Sequence, residues 1–158
     1  MFDLDGTLVD LPIDYEKLFE EFKRIMRVEN VRPLAETISK TDAETRKRVF
    51  RAWDKAELDC CNRITVNEGG MKIYREHAEL PKALVTLQGK KVVGAIVEKL
   101  KLTFNAVITR EDAWKRDEQL AKAAEKLQTT LQDILFVGNT DGDAAAAQKV
   151  GCQFLRVK

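Results

Sequence analysis

The sequence predicts an α/β protein in which a three-layer, doubly wound parallel sheet carries a small inserted α-helical cap. Short, mostly apolar runs, which are typical of strands buried on both faces of a parallel sheet, occur at residues 1–4, 83–87, 106–109, 134–137 and 154–157. Segments with helical periodicity separate the later runs. Because strand–helix alternation of this kind indicates right-handed crossovers, the runs predict a doubly wound sheet.

The helical segments between the later strands each present one apolar face. The first face comprises Val92, Val93, Ile96, Val97 and Leu100, and the second comprises Leu120, Ala123, Ala124 and Leu127. The last helix is short and alanine-rich, from Ala144 to Val150, and Gly151 is expected to end it.

Residues 13–80 interrupt the alternation and predict an inserted cap. Apolar residues recur at helical spacing from Tyr15 to Met26, and Thr41 to Glu44 has the pattern of a capping box. A connection of this length is too long for an ordinary crossover. We therefore predict a core domain of residues 1–12 and 81–158 and a helical cap domain between them.

Charge and composition argue against several classes of partner. The formal net charge is +1, so no basic field would draw the chain to nucleic acid or to an anionic membrane. The sequence contains no run of about 18 apolar residues, which argues against a membrane span. The three cysteines are odd in number and two of them, Cys60 and Cys61, are adjacent, so we expect no disulfide framework and a reducing, cytoplasmic location. The expected partner is a small molecule.

The strongest functional signal is the run from Phe2 to Leu8, Phe-Asp-Leu-Asp-Gly-Thr-Leu. Residues i and i+2 of a strand project to the same side, so Asp3 and Asp5 would face one site at the carboxyl edge of the sheet. Two close carboxylates repel each other unless a cation lies between them or one of them keeps its proton. Both conditions suit phosphoryl transfer, because one carboxylate can attack phosphorus while the other donates a proton to the leaving oxygen. Gly6 lets the chain turn sharply out of the strand.

This run resembles the first motif of the haloacid-dehalogenase-like (HAD) superfamily, and the similarity extends along the chain to Phe154. Within that superfamily the chain resembles the phosphoglycolate-phosphatase-like group, which has a helical cap. The resemblance implies a Rossmann-like core, Mg²⁺ as cofactor, Asp3 as the nucleophile and Asp5 as the general acid and base. Members whose second aspartate is replaced do different chemistry, so the presence of Asp5 favours a phosphatase.

The second and third motifs of the superfamily also have counterparts. Thr86 ends the predicted second strand, where the resemblance implies a hydroxyl that binds phosphate oxygens. The third motif supplies a lysine that neutralises the phosphate and the nucleophile, and Lys115 is the best match for this catalytic and phosphate-binding role. The familiar Lys-Pro pair is absent because Arg116 follows. The register of the helix leaves Arg116 or Arg110 as alternatives, although a guanidinium is not geometrically equivalent to an ammonium.

The fourth motif, usually Gly-Asp-x-x-x-Asp, is Gly-Asn-Thr-Asp-Gly-Asp in this chain. The resemblance implies that Mg²⁺ binds Asp3, the backbone carbonyl of Asp5 and Asp143. Asn139 stands where the first acidic residue is expected, and its amide carbonyl can coordinate a cation without adding charge. Asp141 lies between the two positions and could compensate. We therefore expect a metal site that includes Asn139 and has modest affinity.

Together these motifs predict hydrolysis of a phosphate monoester, a small phosphorylated metabolite, through an aspartyl-phosphate intermediate. Two alternatives stay open: a phosphomutase of the same superfamily, which returns the phosphoryl group to the substrate, and a phosphate-binding or partner-binding domain with weakened catalysis. Turnover of a generic aryl phosphate with added Mg²⁺ would separate the last alternative from an enzyme.

Two further features carry expectations. His77 is the only histidine, and its position on a cap helix predicts a packed or surface residue rather than a catalytic one. Only Met1 and Phe2 precede Asp3, whereas strands typically run about 5–6 residues. We therefore expect either a natural chain that begins further upstream or an unusually short central strand.

Overall fold

The computed structural model describes residues 1–157, in which strands and helices alternate along most of the chain. The strands are β1 (Val9–Asp10), β2 (Thr65–Val66), β3 (Ala83–Val85), β4 (Ala106–Ile108), β5 (Leu135–Gly138) and β6 (Gln153–Arg156). The helices are α1 (Tyr15–Met26), α2 (Leu34–Ser39), α3 (Ala43–Cys60), α4 (Glu68–Glu76), α5 (Lys90–Lys99), α6 (Arg116–Leu127) and α7 (Asp141–Val150). Short 3-10 turns lie at Cys61–Arg63 and Leu131–Asp133.

The parallel sheet is built around residues 1–3, which lie at its centre. β3 pairs with β4 in parallel, and β5 pairs with β6 in parallel. Phe2 joins the two pairs, because it bridges Leu84 of β3 on one side and Val137 of β5 on the other. The order across the sheet is therefore β4, β3, residues 1–3, β5 and β6, which confirms the predicted doubly wound fold. The strand order reverses at the central segment, and open α/β sheets bind ligands at the carboxyl edge of such a position.

Successive side chains of the central segment lie on opposite faces of the sheet, as the strand period requires. Phe2 packs in an apolar cluster with Ile96 of α5. Met1 packs in a second cluster with Leu120 of α6 and Ala147 of α7. The sheet is therefore covered by α5 on one face and by α6 and α7 on the other, which gives the three layers.

Helices α1, α2 and α3 form a further layer with an apolar cluster of their own. Phe22 and Trp53 lie in this cluster with their ring centroids 5.5 Å apart. The cap residue of α3 is Asp42, not Thr41 as the capping-box pattern predicted, because Oδ1 of Asp42 accepts the first free N–H groups of the helix at 2.9 Å. α4 instead packs on the sheet through Met71, which belongs to the cluster around Phe2. The separate helical layer thus comprises α1, α2 and α3, whereas α4 shares the apolar cluster of the sheet.

Two sequence expectations can be compared with the fold directly. Within residues 1–157, no helix combines the length and the apolar character needed to cross a membrane. Cys60, Cys61 and Cys152 are free thiols, and Sγ of Cys60 donates a hydrogen bond to the carbonyl of Pro12 at 3.2 Å.

Candidate active site

The turn after the central segment places Asp3 and Asp5 at the carboxyl edge of the sheet. The carbonyl of Leu4 accepts three successive N–H groups of this turn at 3.2, 2.9 and 3.1 Å. Gly6 has a φ of +76°, a conformation that residues with a Cβ rarely adopt. A Cβ at Gly6 would also lie 2.0 Å from Nδ2 of Asn139, so the turn requires glycine for both reasons.

Asp3 is almost completely buried, with 5% of its surface exposed, and its carboxylate is held by Arg116. Nη2 of Arg116 lies 2.9 Å from Oδ1 of Asp3, and Nε of the same guanidinium lies 2.9 Å from Oδ1 of Asp143. Burial raises the pKa of Asp3 to about 6, the charge of Arg116 opposes this shift, and the neighbouring Asp143 adds to it. One cation therefore bridges two buried carboxylates.

Asp5 has a different environment, because both of its oxygens accept hydrogen bonds from the segment that leads into the cap. The N–H of Leu11 donates to Oδ1 at 2.8 Å, and the hydroxyl of Tyr15 donates to Oδ2 at 2.7 Å. Burial raises the pKa of Asp5, and these two hydrogen bonds oppose the shift. Burial and the charge of Asp5 raise the pKa of Tyr15, so its hydroxyl stays a donor.

The helical spacing predicts only that Tyr15 lies on the apolar face of a helix, and it does not predict the hydrogen bond to Asp5. Nothing in the helical spacing separates Tyr15 from its neighbour Phe19, which is also aromatic. The one available signal is its position as the first residue of α1, the first helix after Asp5 in the chain. A hydroxyl at that position can reach back to the sheet edge.

The cation beside Asp3 is Arg116, and the structure does not bring Lys115 to the site. Lys115 is the cap residue of α6, its side chain is 53% exposed, and its Nζ lies 3.6 Å from Glu118. Arg116 is the first residue of α6, and its side chain is only 15% exposed. A shift of one residue at the start of the helix therefore decides which cation faces inward. Arg110 is engaged elsewhere, in an ion pair with Glu57.

Thr86 lies at the same edge of the sheet, directly after β3, but its hydroxyl is already bonded. It donates to Oε1 of Gln88, and the N–H of Gln88 lies 3.3 Å from Oγ1 of Thr86. The carbonyl of Thr86 accepts from Nε2 of Gln119 at 2.7 Å, and the carbonyl of Val85 accepts from Nη1 of Arg116 at 2.7 Å. These bonds hold Thr86 next to the Arg116 guanidinium. Gln88 is a further residue of the site that the sequence motifs did not predict.

The loop after β5 contributes Asp143 and Asn139 to the site. Oδ2 of Asp143 accepts from the N–H and the hydroxyl of Thr140 at 3.1 and 2.7 Å. The N–H of Asp143 donates in return to Oγ1 of Thr140 at 3.0 Å, and the two backbone N–H bonds form the capping box of α7. Oδ1 of Asn139 accepts from the hydroxyl of Thr7 at 3.4 Å. Asp141 points away, because its side chain is 98% exposed and pairs with Arg156 at 2.6 Å. From this position Asp141 does not supply the negative charge that Asn139 lacks.

A cavity of about 460 Å³ opens between this edge and the helical layer. Asp3, Asp5, Gln88, Arg116 and Thr140 line its core side. Tyr15, Phe19, Arg32, Pro33, Leu34, Trp53 and Leu87 complete the lining. His77 does not line this cavity, and its Nδ1 lies 2.8 Å from the carbonyl of Ile73.

Oxygen atoms dominate the groups that could hold a cation. Within residues 1–157, no group of three or more His, Cys, Asp or Glu side chains is arranged to bind a metal ion. The carboxylates of Asp3 and Asp143, the amide carbonyl of Asn139 and the backbone carbonyl of Asp5 remain as hard donors. Such a set suits Mg²⁺, which proteins usually hold with one or two carboxylates together with substrate phosphate and water.

Comparison with known proteins shows the family to which the chain belongs. The sequence profile of the haloacid dehalogenase-like hydrolases matches residues 1–157. No curated protein sequence matches the chain significantly. Among solved structures, a hydrolase from Pseudomonas syringae is 20% identical with a TM-score of 0.71, over 98% of this chain and 81% of that one.

Two further solved structures have the same fold. A protein described as a candidate haloacid dehalogenase-like hydrolase, from Bacteroides fragilis, is 18% identical with a TM-score of 0.74, over 99% of this chain and 85% of that one. A protein described as a candidate phosphoglycolate phosphatase, from Lactobacillus plantarum, is 20% identical with a TM-score of 0.71, over 98% and 83%. At these identities the likeness extends to the fold alone, whereas the profile covers nearly the whole chain. The chain therefore belongs to the haloacid dehalogenase-like hydrolase family.

Proposed function

We propose that this protein hydrolyses phosphate monoesters of small metabolites through a phosphorylated Asp3. The observation that carries the proposal is the pair of aspartates in one cavity, each in a different environment. Asp3 is paired with a buried cation, and Asp5 is hydrogen-bonded to Tyr15 and to a backbone N–H. Two carboxylates with different partners can divide the work of nucleophile and proton donor between them.

In the first step a carboxylate oxygen of Asp3 attacks phosphorus, and the bond between phosphorus and the ester oxygen breaks. Asp5 gives its proton to the leaving oxygen, so the product leaves as an alcohol. Arg116 holds Oδ1 of Asp3 at 2.9 Å, which orients the carboxylate with its other oxygen, Oδ2, as the attacking atom. In the second step water attacks phosphorus, Asp5 takes a proton from that water, and phosphate departs from Asp3.

The raised pKa of Asp5 suits this double role, because burial favours the protonated form that the first step needs. Tyr15 fixes the direction of the carboxyl group, since its hydroxyl occupies one oxygen of Asp5. The hydrogen bond also connects the acid to α1 of the helical layer. A group that is oriented in advance needs less reorganisation in the transition state.

The transferring phosphoryl group would lie among Arg116, Thr86 and the backbone N–H groups after β3. Arg116 supplies a permanent charge, since a guanidinium does not lose its proton in proteins. Thr86 could donate to a phosphate oxygen after its hydroxyl turns from Gln88. Lys115 has no part in this proposal, because its side chain is half exposed and lies beside Glu118.

Mg²⁺ would be held by Asp3, Asp143, the amide carbonyl of Asn139 and the backbone carbonyl of Asp5. When bound it supplies charge neutralisation for the phosphate and the nucleophile. Arg116 already neutralises part of the same pair of carboxylates, and Asn139 adds no charge. Both features lower the attraction for a divalent cation, so modest affinity is expected.

The proposal is tested by release of inorganic phosphate from an aryl phosphate and from several alkyl phosphates, with and without Mg²⁺. Phosphate release that Asp3→Asn abolishes, with circular dichroism unchanged, supports hydrolysis. Isomerised substrate without free phosphate would indicate a mutase instead. Binding of phosphate esters without any turnover would indicate a domain with weakened catalysis.

A further inference from the structure

We propose that Arg32 binds a second anionic group on the substrate, at the end of the leaving group remote from the reacting phosphate. This inference rests on the proposed function, because it assigns the leaving group of the same reaction. Arg32 lies between α1 and α2 and lines the cavity that contains Asp3 and Asp5. It lies on the cap side of that cavity and is solvent-exposed, whereas Asp3 is buried in the core side. A substrate whose phosphate reaches Asp3 would direct its other end towards Arg32.

The charge of Arg32 is not compensated by a neighbouring acid. Arg116, the other cation of the cavity, pairs with Asp3 and Asp143. Within residues 1–157, no carboxylate lies in ion-pair range of Arg32, and its side chain makes no hydrogen bond. Its guanidinium instead lies over the ring of Phe19, 5.2 Å from the centroid. A cation held on an aromatic face keeps all of its N–H donors for a ligand.

The rest of the cap-side wall offers little to an uncharged polar ligand. Phe19, Pro33 and Leu34 are apolar, the hydroxyl of Tyr15 already donates to Asp5, and Nε1 of Trp53 is shielded from solvent. A polyhydroxylated sugar would therefore find few hydrogen-bond partners on this side. A short leaving group that ends in a carboxylate or a phosphate would satisfy Arg32 and pack its methylene groups on the apolar wall.

The inference predicts a charge preference among substrates of equal length. The probes are three alkyl phosphates that end in a carboxylate, a hydroxyl or an ammonium: carboxyethyl, hydroxypropyl and aminopropyl phosphate. Carboxybutyl phosphate and propylene bisphosphate test the length and the identity of the anion. For the wild-type chain, kcat/KM should be at least tenfold higher for the carboxylate or bisphosphate than for the hydroxyl, which is about 1.4 kcal/mol. The ammonium compound should be the poorest substrate.

Charge reversal provides the decisive variant. Arg32→Glu should invert the order, so that the aminopropyl ester exceeds the carboxyethyl ester in kcat/KM. Arg51→Glu is the matched control, because Arg51 is also an exposed arginine of the helical layer but does not line the cavity. Arg51→Glu should keep the wild-type order of kcat/KM among the esters. An inversion in Arg32→Glu alone would therefore reflect contact between residue 32 and the leaving group, and not a general effect of the protein's charge.

The outcomes distinguish this inference from the proposed function. If the wild-type chain releases phosphate from the esters but shows no charge preference, or if Arg32→Glu keeps the wild-type order, Arg32 does not bind the leaving group while the hydrolase proposal stands. If no ester is hydrolysed, the proposed function fails first. A preference for the carboxylate over the bisphosphate, or the reverse, identifies which anion the site takes.

Discussion

Removal of one partner from the buried ion pair between Glu57 and Arg110 should destabilise the fold strongly, because the other charge would stay buried without its partner. Glu57 lies on α3 and is completely buried, and Arg110 follows β4 and is 1% exposed in its side chain. Oε1 accepts from Nη1 of Arg110 at 2.6 Å, and Oε2 accepts from Nη2 at 3.0 Å and from the N–H of Gly89 at 3.1 Å. The pair therefore links α3 of the helical layer to the core domain beside the catalytic cavity.

Glu57→Gln removes the charge and turns one acceptor into a donor that faces Arg110 or Gly89. A single hydrogen bond to a charged group is worth about 1.5–3 kcal/mol. Breaking a buried ion pair by removing one partner costs about 3–5 kcal/mol, and the remaining partner of Arg110, Asp54, favours the lower end of that range. We expect a loss of about 3 kcal/mol in the free energy of unfolding, a large part of a typical total of about 5–15 kcal/mol.

The free energy of unfolding of Arg110→Met should depend on pH in a way that Glu57→Gln does not. In Arg110→Met the Glu57 carboxylate has lost its buried partner and can take up a proton. Burial raises the pKa of Glu57 above its usual 4.5, and Arg110 opposes that shift. Without Arg110 the folded-state pKa rises further, so the folded state binds a proton that the unfolded state has released. The contribution of Glu57 to the stability of Arg110→Met is therefore largest below pH 4.5 and is lost as pH rises through the folded-state pKa of Glu57. Glu57→Gln has no such group and should lack this dependence.

Urea unfolding followed by circular dichroism measures these differences. Glu20→Gln is the control, because Glu20 pairs with Lys23 at 2.6 Å on the solvent-exposed face of α1. Solvent screens this pair, so its loss should change the unfolding free energy very little. If Glu57→Gln were no more destabilising than Glu20→Gln, Glu57 and Arg110 would not be held together as a buried pair in solution.

Three further predictions concern the catalytic cavity. Arg116→Ala should lower kcat/KM for an aryl phosphate by at least about a hundredfold, as the loss of a charge stabiliser commonly does, whereas Lys115→Ala should stay close to wild type. Equal losses for the two variants in steady-state assays would contradict the assignment of Arg116 as the cation beside Asp3. Tyr15→Phe should slow alkyl phosphates more than aryl phosphates, because only alkyl leaving groups depend strongly on the proton from Asp5, and an unchanged ratio of the two rates would contradict this role. Asn139→Asp should lower the Mg²⁺ concentration that gives half-maximal activity, since it restores a negative charge, and an unchanged titration would remove residue 139 from the metal site.

The fold was predictable because its signals are local and periodic. The apolar runs that became β3, β4, β5 and β6 are each bounded by helical patterns, and a parallel sheet is the arrangement that buries such runs on both faces. Asp3 and Asp5 were predictable for the same reason, since the strand period and the following Gly6 fix their relation within a few residues of sequence.

The site residues that the sequence did not predict depend on contacts between residues that are far apart in the chain. Lys115 and Arg116 are adjacent cations, and only the first residue of α6 determines which one turns inward. Tyr15 has the spacing of a core aromatic, yet its hydroxyl reaches Asp5. Glu57 is buried by a partner that lies far away in the chain, so nothing in its local sequence distinguishes it from the exposed acids of the same helix.

Phosphorylation of Asp3 is the central claim, and mass spectrometry of the enzyme quenched in acid during turnover tests it most directly. Asp5→Asn should lengthen the life of the intermediate, because the attacking water loses its base, and an aryl phosphate still forms it without a proton donor. Trypsin would release residues 1–17 as one peptide, in which fragmentation separates Asp3 from the other aspartates. The account predicts one added phosphoryl group on Asp3, absent from Asp3→Asn. Steady turnover with no phosphorylated peptide, or with the phosphoryl group on a different residue, would contradict it.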